Sequence, residues 1–457
     1  MKRAIFSTAV AACLAALASP AQARDKFDVR VLAPVPPPGY PALSLVAPDR
    51  TIYVGTFTDA GGNNTGPSKV FAFTPGGQLK REYVIQGQTP GAVHGVQVAA
   101  IDAKGRLYLL DQHPARVVRL DPATGKQTTY GTFADVPPCL PGASGDCSAT
   151  SMDNEPEPDY AAWGTDGSLY VTDYTQGLIW RLAPRGGAAK IWLTDPALDG
   201  SMFGVAGIVL MPDHKTLMVS TSAGPVVGVG DPTTGKLYTV PIQADGKPGK
   251  LKQLWESGPR EGPDGFALAA SGNIYLALAG PGANQLVEIS PNGDEIARAS
   301  SGKDVPFDGP SSVQFDGKRM IVTNDAYFSG DQSHMVVFDV FAGEAGEPVF
   351  VPGVTQPSPG VLKSKKHYAL SVRPRSVHSG ELRRYRFRAR IADKAGKRAL
   401  ARGVVKFGGH RVRTDARGVG VVRVRLHRRG RHVARLLLPR SRATVAKAFV
   451  RVRAAGD

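Results

Sequence analysis

The chain has 457 residues, 42% of them hydrophobic, with 53 Gly and 36 Pro. That is too long for one core, and so much Gly and Pro speaks against a helical protein and for a turn-rich, all-β one. The net charge of +17 is an average over two unlike parts: residues 361–457 hold 29 basic and 4 acidic side chains, a balance of +25, and the remainder stands at −8.

In chain order, Met1-Lys2-Arg3 precedes an apolar run over residues 4–18 and then Ser19-Pro20-Ala21-Gln22-Ala23. A positive start, a short apolar stretch and an A-x-A site predict a cleavable signal peptide over 1–23 and a secreted or envelope-associated protein. The rival reading takes Val10-Ala11-Ala12-Cys13 as a lipoprotein box, but it sits very early and the apolar run continues past it. The mature chain then keeps Cys139 and Cys147, which flank a Gly/Pro-rich loop. In an oxidising compartment that spacing predicts one disulfide; a zinc site would need further Cys or His nearby.

A unit recurs through residues 40–350. Its clearest copies run from Asp159 through Gly167 to Asp173, from Asp264 through Gly272 to Ala277, and from Gln97 through Gly105 to Asp111. Weaker copies surround Asp49, Asp213 and Gly317. Each is a short apolar strand, a tight Asp/Gly turn and a second apolar strand, followed in most copies by a third strand and a Pro/Gly turn, then a more polar fourth. Repeated four-stranded units predict a β-propeller over residues 24–352, and six copies predict six blades. The segment 353–363 reads as a Pro/Gly linker.

Gly262-Pro-Asp-Gly-Phe-Ala-Leu with Gly272-Asn-Ile-Tyr-Leu-Ala, the Pro-Asn-Gly293 turn and the stretch from Asp159 to Asp173 resemble the senescence-marker-protein/gluconolactonase family, which includes regucalcin and the bacterial lactonases. The resemblance covers roughly residues 40–350. It implies one divalent cation in a central channel, held by Glu, Asn and Asp from different blades, with Ca²⁺ first and Mg²⁺, Mn²⁺ or Zn²⁺ as alternatives, and a small lactone or sugar-acid-like ligand hydrolysed there. The channel position lies eight residues before the turn Gly. Asp264 matches the family's aspartate and is expected to be both metal ligand and proton acceptor; Asp159 is expected as a second metal ligand. The family's Asn-Gly is Ala206-Gly207 here, and its Glu falls near Pro41-Ala42, so the triad is partial. Gln97, His94 and Ser311 are expected to bind substrate.

The bland readings are specific. Asp264 can cap its own Pro-Asp-Gly turn, His94 can be a packed or surface residue, and Asp173, Asn324 and Asp325 read as turn residues. Tyr174 and Trp163 read as packing between blades. The acidic loop 153–159 is either a channel-mouth cation site or a solvated loop, and the insertion 133–156 either a lid over the channel or a passive loop. No nucleophile elbow surrounds any Ser. No helix follows Gly224-Pro-Val-Val-Gly228-Val-Gly230, so it is not a dinucleotide loop.

Residues 364–457 alternate apolar and basic side chains, as in Tyr385-Arg-Phe-Arg-Ala-Arg-Ile. Period two predicts strands with apolar faces inward and Arg outward. The stretch from Gly403 through the Thr414-Asp-Ala-Arg-Gly turn resembles a bacterial immunoglobulin-like module, which implies a small β-sandwich. Its charge points to an anionic cell-envelope surface as partner, and it lacks the aromatics of a stacking platform, so no specific nucleic acid is expected. The chain is expected to be a monomer. Three functions stay open: a metal-dependent lactone or ester hydrolase, a non-catalytic binding propeller, and a structural envelope protein.

Overall fold

The computed structural model describes residues 24–58, 60–136, 155–199, 203–222, 234–300, 304–353, 367–393, 396–437 and 444–454. The expected signal peptide, both cysteines of the expected disulfide, most of the 133–156 insertion, the expected linker beyond residue 353 and the 224–230 glycine segment lie outside these. The chain divides into two compact units, Met1–Gln356 and Pro357–Asp457. Among the described residues the fold is all-β apart from the 3-10 turns Pro196–Leu198 and Gln332–His334.

Among the described residues the first unit holds six antiparallel sheets of four strands, one of them carrying a fifth, two-residue strand. Five sheets are built from consecutive segments, starting at Ser44–Val46, Val96–Ile101, Pro158–Trp163, Val205–Leu210 and Pro263–Leu268. The turn glycines that defined the repeat join first and second strands: Gly105, Gly167 and Gly272 have φ of 75°, 80° and 85°, a left-handed conformation in which glycine is unstrained. The sixth sheet is composite. It starts at Pro310–Asp316, and its outermost strand is Val29–Pro34 from the chain's beginning, paired with Val336–Phe341. Arg24 fastens this closing strand by bonding Asp28 at 2.9 Å and Asp339 at 2.6 Å.

First strands of successive sheets touch, and Ser44–Val46 touches Pro310–Asp316, so the inner strands make a closed ring. Each pair of neighbouring sheets encloses its own apolar cluster, and the cycle shuts with Ile52, Val54 and Phe71 of the first sheet against Ile321 and Val337 of the sixth. A single four-stranded sheet could not bury both faces; the ring does so for all of them. Trp163 fits its expected role, stacking edge-on against Tyr108 at 4.8 Å and donating to the Ile101 carbonyl at 3.0 Å. The far end of the ring is crossed by residues 345–351, where the Glu347 amide bonds the Leu268 carbonyl at 2.7 Å and Phe350 packs on His214.

The second unit is two sheets around one core. Val372, Tyr385, Phe387 and Ala389 of one sheet meet Val405, Phe407, Leu436 and Val450 of the other. The period-two pattern is realised along Leu382–Asp393, where Tyr385, Phe387, Ala389 and Ile391 are buried and Arg384, Arg386, Arg388 and Arg390 are exposed.

Candidate active site

The site grows from one repeated irregularity. In four sheets the pairing of first and second strands slips at the start of the first strand, between Pro158 and Ala161, Val205 and Ile208, Pro263 and Phe266, and Pro310 and Val313. Two residues there oppose one, a β-bulge that turns a side chain out of the pleat. The turned-out positions are Asp159, Ala206, Asp264 and Ser311. The bulged backbone is held by hydroxyls on the second strand: the Tyr160 amide donates to Thr172 Oγ1 and the Ser312 amide to Thr323 Oγ1, each at 3.0 Å. Ser220 donates to the Asp264 carbonyl at 2.7 Å.

Ala42, Gln97, Asp159, Ala206 and Asp264, at the entries of five different sheets, line one cavity of about 720 Å³ counting its open mouth. Asp159 is buried, and its carboxylate accepts a hydrogen bond from Gln97 Nε2. Burial, then the negative charge of Asp264, pushes the Asp159 carboxyl well above the usual range. Desolvation lifts Asp264 to about 7, against the restraint of the Tyr160 hydroxyl and the Gly265 amide. Neither carboxylate forms an ion pair among the described residues. Two desolvated carboxyls, one of them raised further by the other's charge, favour sharing protons or a cation.

Tyr160 closes the floor. Its hydroxyl crosses from the third sheet to donate to the Ser311 carbonyl in the sixth at 2.9 Å. Gly265 makes room for it: a Cβ there would lie 2.5 Å from the Tyr160 hydroxyl and 2.7 Å from the Ser311 carbonyl. Burial and the charge of Asp264 keep the phenol protonated.

The rim comes from Phe57, Tyr174 and Tyr327, which follow second strands, and from Phe203, just ahead of Val205–Leu210. Phe57, Tyr327, Phe203 and Tyr174 form a chain of rings with centroids 6.4, 5.6 and 5.3 Å apart. Tyr174 packs between sheets as expected, buried with Phe57 and Ala42, and it also lines the cavity, where its hydroxyl donates to Glu157. Burial, with Asp173 and Glu155 adding repulsion, pushes Glu157 to about 7, so this part of the acidic loop is not simply solvated. Asp325 also lines the cavity, and burial with the charge of Asp264 holds its carboxyl well above the ordinary range. It was expected to be a turn residue. Its turn role is real, since it accepts the Tyr327 amide at 3.0 Å, but it also faces the site. Asp173 and Asn324, expected as turn residues, instead end the strands Leu169–Asp173 and Arg319–Asn324; Asp173 accepts from Trp180 at 2.8 Å and Asn324 from the Asp308 amide at 2.7 Å.

Two expected ligand-binding residues are engaged elsewhere. His94 is buried with Nδ1 2.8 Å from the Gly66 carbonyl and Nε2 2.6 Å from the Thr89 carbonyl, so both ring nitrogens are held by loop backbone. Ser311 occupies the bulge position, but its hydroxyl is spent on the Ala42 carbonyl at 2.7 Å and Thr323 at 2.9 Å. Sequence reading missed Arg260 and Tyr160. Arg260 is exposed at the mouth, has a left-handed φ of 61°, and forms no ion pair among the described residues. Gly280 and Gly282 pack against its carbonyl, so closely that a Cβ on either would lie 2.3 or 2.7 Å from it, and the Gly282 amide donates to it at 3.0 Å. The neighbouring Pro-Asp-Gly motif drew attention to Asp264, and nothing local marked Arg260.

A divalent cation has a chemically suitable donor set. Asp159, Asp264 and the Gln97 amide offer hard oxygens, and Gln97 Oε1 is buried with no hydrogen-bond partner. No group of three His, Cys, Asp or Glu converges as a ready-made metal cluster among the described residues, so such an ion would depend on two carboxylates, the amide and solvent.

No protein-family model and no curated protein matches the sequence. Solved structures similar to it include a candidate gluconolactonase (16% identity, TM-score 0.46, 72% of this chain and 94% of that one). Others are a luciferin-regenerating enzyme (12%, 0.46, 69% and 97%) and the periplasmic gluconolactonase of Pseudomonas aeruginosa (17%, 0.41, 68% and 89%). Likeness at this level is silent on activity, and the chemistry rests on this chain's own residues.

Proposed function

We propose that the first unit is a six-bladed propeller hydrolase acting on a small lactone or related ester in its central cavity. The observation that carries this reading is the pair Asp159 and Asp264: desolvated, facing one cavity from different sheets, and raised together, with Asp264 near 7. A carboxyl poised there exchanges protons efficiently at neutral pH. As carboxylate, Asp264 takes the proton of an attacking water while the water oxygen bonds to the ester carbonyl carbon. The ring C–O bond then breaks, and Asp264 returns the proton to the departing oxygen. Asp159 and the Gln97 amide hold the partner charge. A divalent cation held by Asp159, Asp264 and Gln97 would polarise the carbonyl. The aromatic rim covers the apolar side of a bound ring, and Arg260 gives the mouth a cation for a carboxylate or phosphate on the ligand.

Ala42 and Ala206 at two of the bulge-level positions favour a second reading, a propeller that binds such a ligand without turning it over. The remaining parts of the proposal are a cleaved export leader over 1–23, a Cys139–Cys147 disulfide, a monomeric chain and an immunoglobulin-like second unit. A panel of sugar lactones, assayed with purified full-length chain in Ca²⁺ and after chelation, separates the readings. Turnover abolished by Asp264→Asn supports the hydrolase; ligand binding without turnover supports the second reading.

A further inference from the structure

Both sheets of the second unit carry rows of outward basic side chains, with a few exposed apolar ones such as Val421 and Phe449 among them. On one sheet Arg384, Arg386, Arg388 and Arg390 stand on the central strand, with Arg373 directly opposite Arg386 and Arg423 directly opposite Arg384. On the other, Arg411, Lys406, Arg435 and Lys447 form one row across four strands, and Arg431 faces Arg451. Along a strand such side chains recur every ~6.8 Å and across strands every ~4.8 Å. Like charges placed directly opposite oppose folding. The described acids do little to relieve them: Glu381 pairs with Arg383 at the end of its strand, and Asp415 is occupied by the amides of Arg417 and Val419. The exposed ring Phe449 has Arg431 at 3.4 Å from its centroid, so it offers no free stacking platform.

Charge on one face alone would suit a flat bilayer. Charge on both faces of a sandwich suits a flexible chain that wraps it, and guanidinium forks pair bidentately with phosphate. We propose that the second unit grips a linear phosphate-bearing polymer outside the cell, contacting both sheet faces through its backbone charge.

Long-chain inorganic polyphosphate is the probe, titrated into the full-length chain between 50 and 200 mM salt. Arg384→Ser/Arg386→Ser/Arg388→Ser removes charge from one face and Lys406→Ser/Arg435→Ser/Lys447→Ser from the other. Each set is expected to flatten the slope of log affinity against log salt by about 2–3, at roughly 0.7–0.9 for each phosphate left unpaired. The corresponding Arg→Lys changes on the first face are expected to retain the slope. Thermal denaturation checks that the variants fold, and Gln replacements read the same slope if a Ser set does not. The proposal is overturned if only one face matters, if anionic phospholipid vesicles bind more tightly at equal phosphate, if DNA homopolymers differ tenfold by base, or if polyphosphate does not bind.

Discussion

Replacing Asp264 by Asn removes one of two desolvated carboxyls without changing the shape of the bulge. In the folded protein this carboxyl titrates at about 7, against an ordinary 3.8. A group raised on folding favours the native state below its unfolded pKa, and that advantage drains away as pH climbs to its folded value. Wild-type stability should therefore fall as pH climbs from about 4 through about 7. At about 1.4 kcal/mol for each pKa unit the loss from Asp264 alone is on the order of 4 kcal/mol. Asp264→Asn removes its own share and relieves Asp159, so the variant should be about 2–4 kcal/mol more stable than wild type at pH 8.5 and no more stable at pH 4. Urea unfolding followed by tryptophan fluorescence reports on the first unit alone, because all four tryptophans, Trp163, Trp180, Trp192 and Trp255, lie in it. Millimolar Ca²⁺ should recover part of the wild-type loss at pH 8.5 and do little for the variant. A wild-type curve flat from pH 4 to 8.5, or an Asn variant less stable at pH 8.5, would refute the coupled pair.

Gly265→Ala should destabilise the first unit by about 2 kcal/mol or more, because the new methyl strikes the Tyr160 hydroxyl and the Ser311 carbonyl at once; unfolding midpoints in urea test this. Tyr160→Phe should cost about 1–3 kcal/mol by leaving the Ser311 carbonyl without its donor, and an unchanged midpoint would show that water replaces the phenol. Arg260→Ala should raise KM several-fold for carboxylate-bearing lactones, leave kcat nearly unchanged and barely affect neutral ones; equal effects on both classes would deny it a role in recognising charge. Deleting residues 24–34 should lower the unfolding midpoint of the first unit steeply, since it exposes the edge Val336–Phe341 and removes the Arg24–Asp339 bond; a midpoint within about 2 °C of wild type would show that the ring does not depend on this closing strand.

Much of the site was legible because the repeat is local. Asp159, Gln97 and Asp264 each stand eight residues before a turn glycine, and the same hairpin geometry carries each to the same depth of the ring. Counting from the glycine therefore located them, whereas the silent positions Ala42 and Ala206 stand eight residues before Arg50 and His214, which take the left-handed turn conformation without being glycine. Ser311 stands six residues before Gly317 and does reach its bulge, but no spacing could show that Ala42 and Thr323 occupy its hydroxyl. His94 failed for a related reason: a titratable residue near a strand start looks functional until Gly66 and Thr89 are seen to hold both nitrogens.

By itself the sequence determined the alternation of short strands and glycine turns, the depth of the two aspartates and the separation of an acidic part from a basic one. These depend on neighbours a few residues away, where turn geometry and period-two burial leave few options. Only the tertiary structure decided that Val29–Pro34 closes the sixth sheet, that Tyr160 spans the ring to a carbonyl 151 positions later, and that Asp325, Tyr174 and Arg260 turn toward the cavity. Those contacts join segments far apart in the chain, and closing the ring, not any local propensity, brings them together.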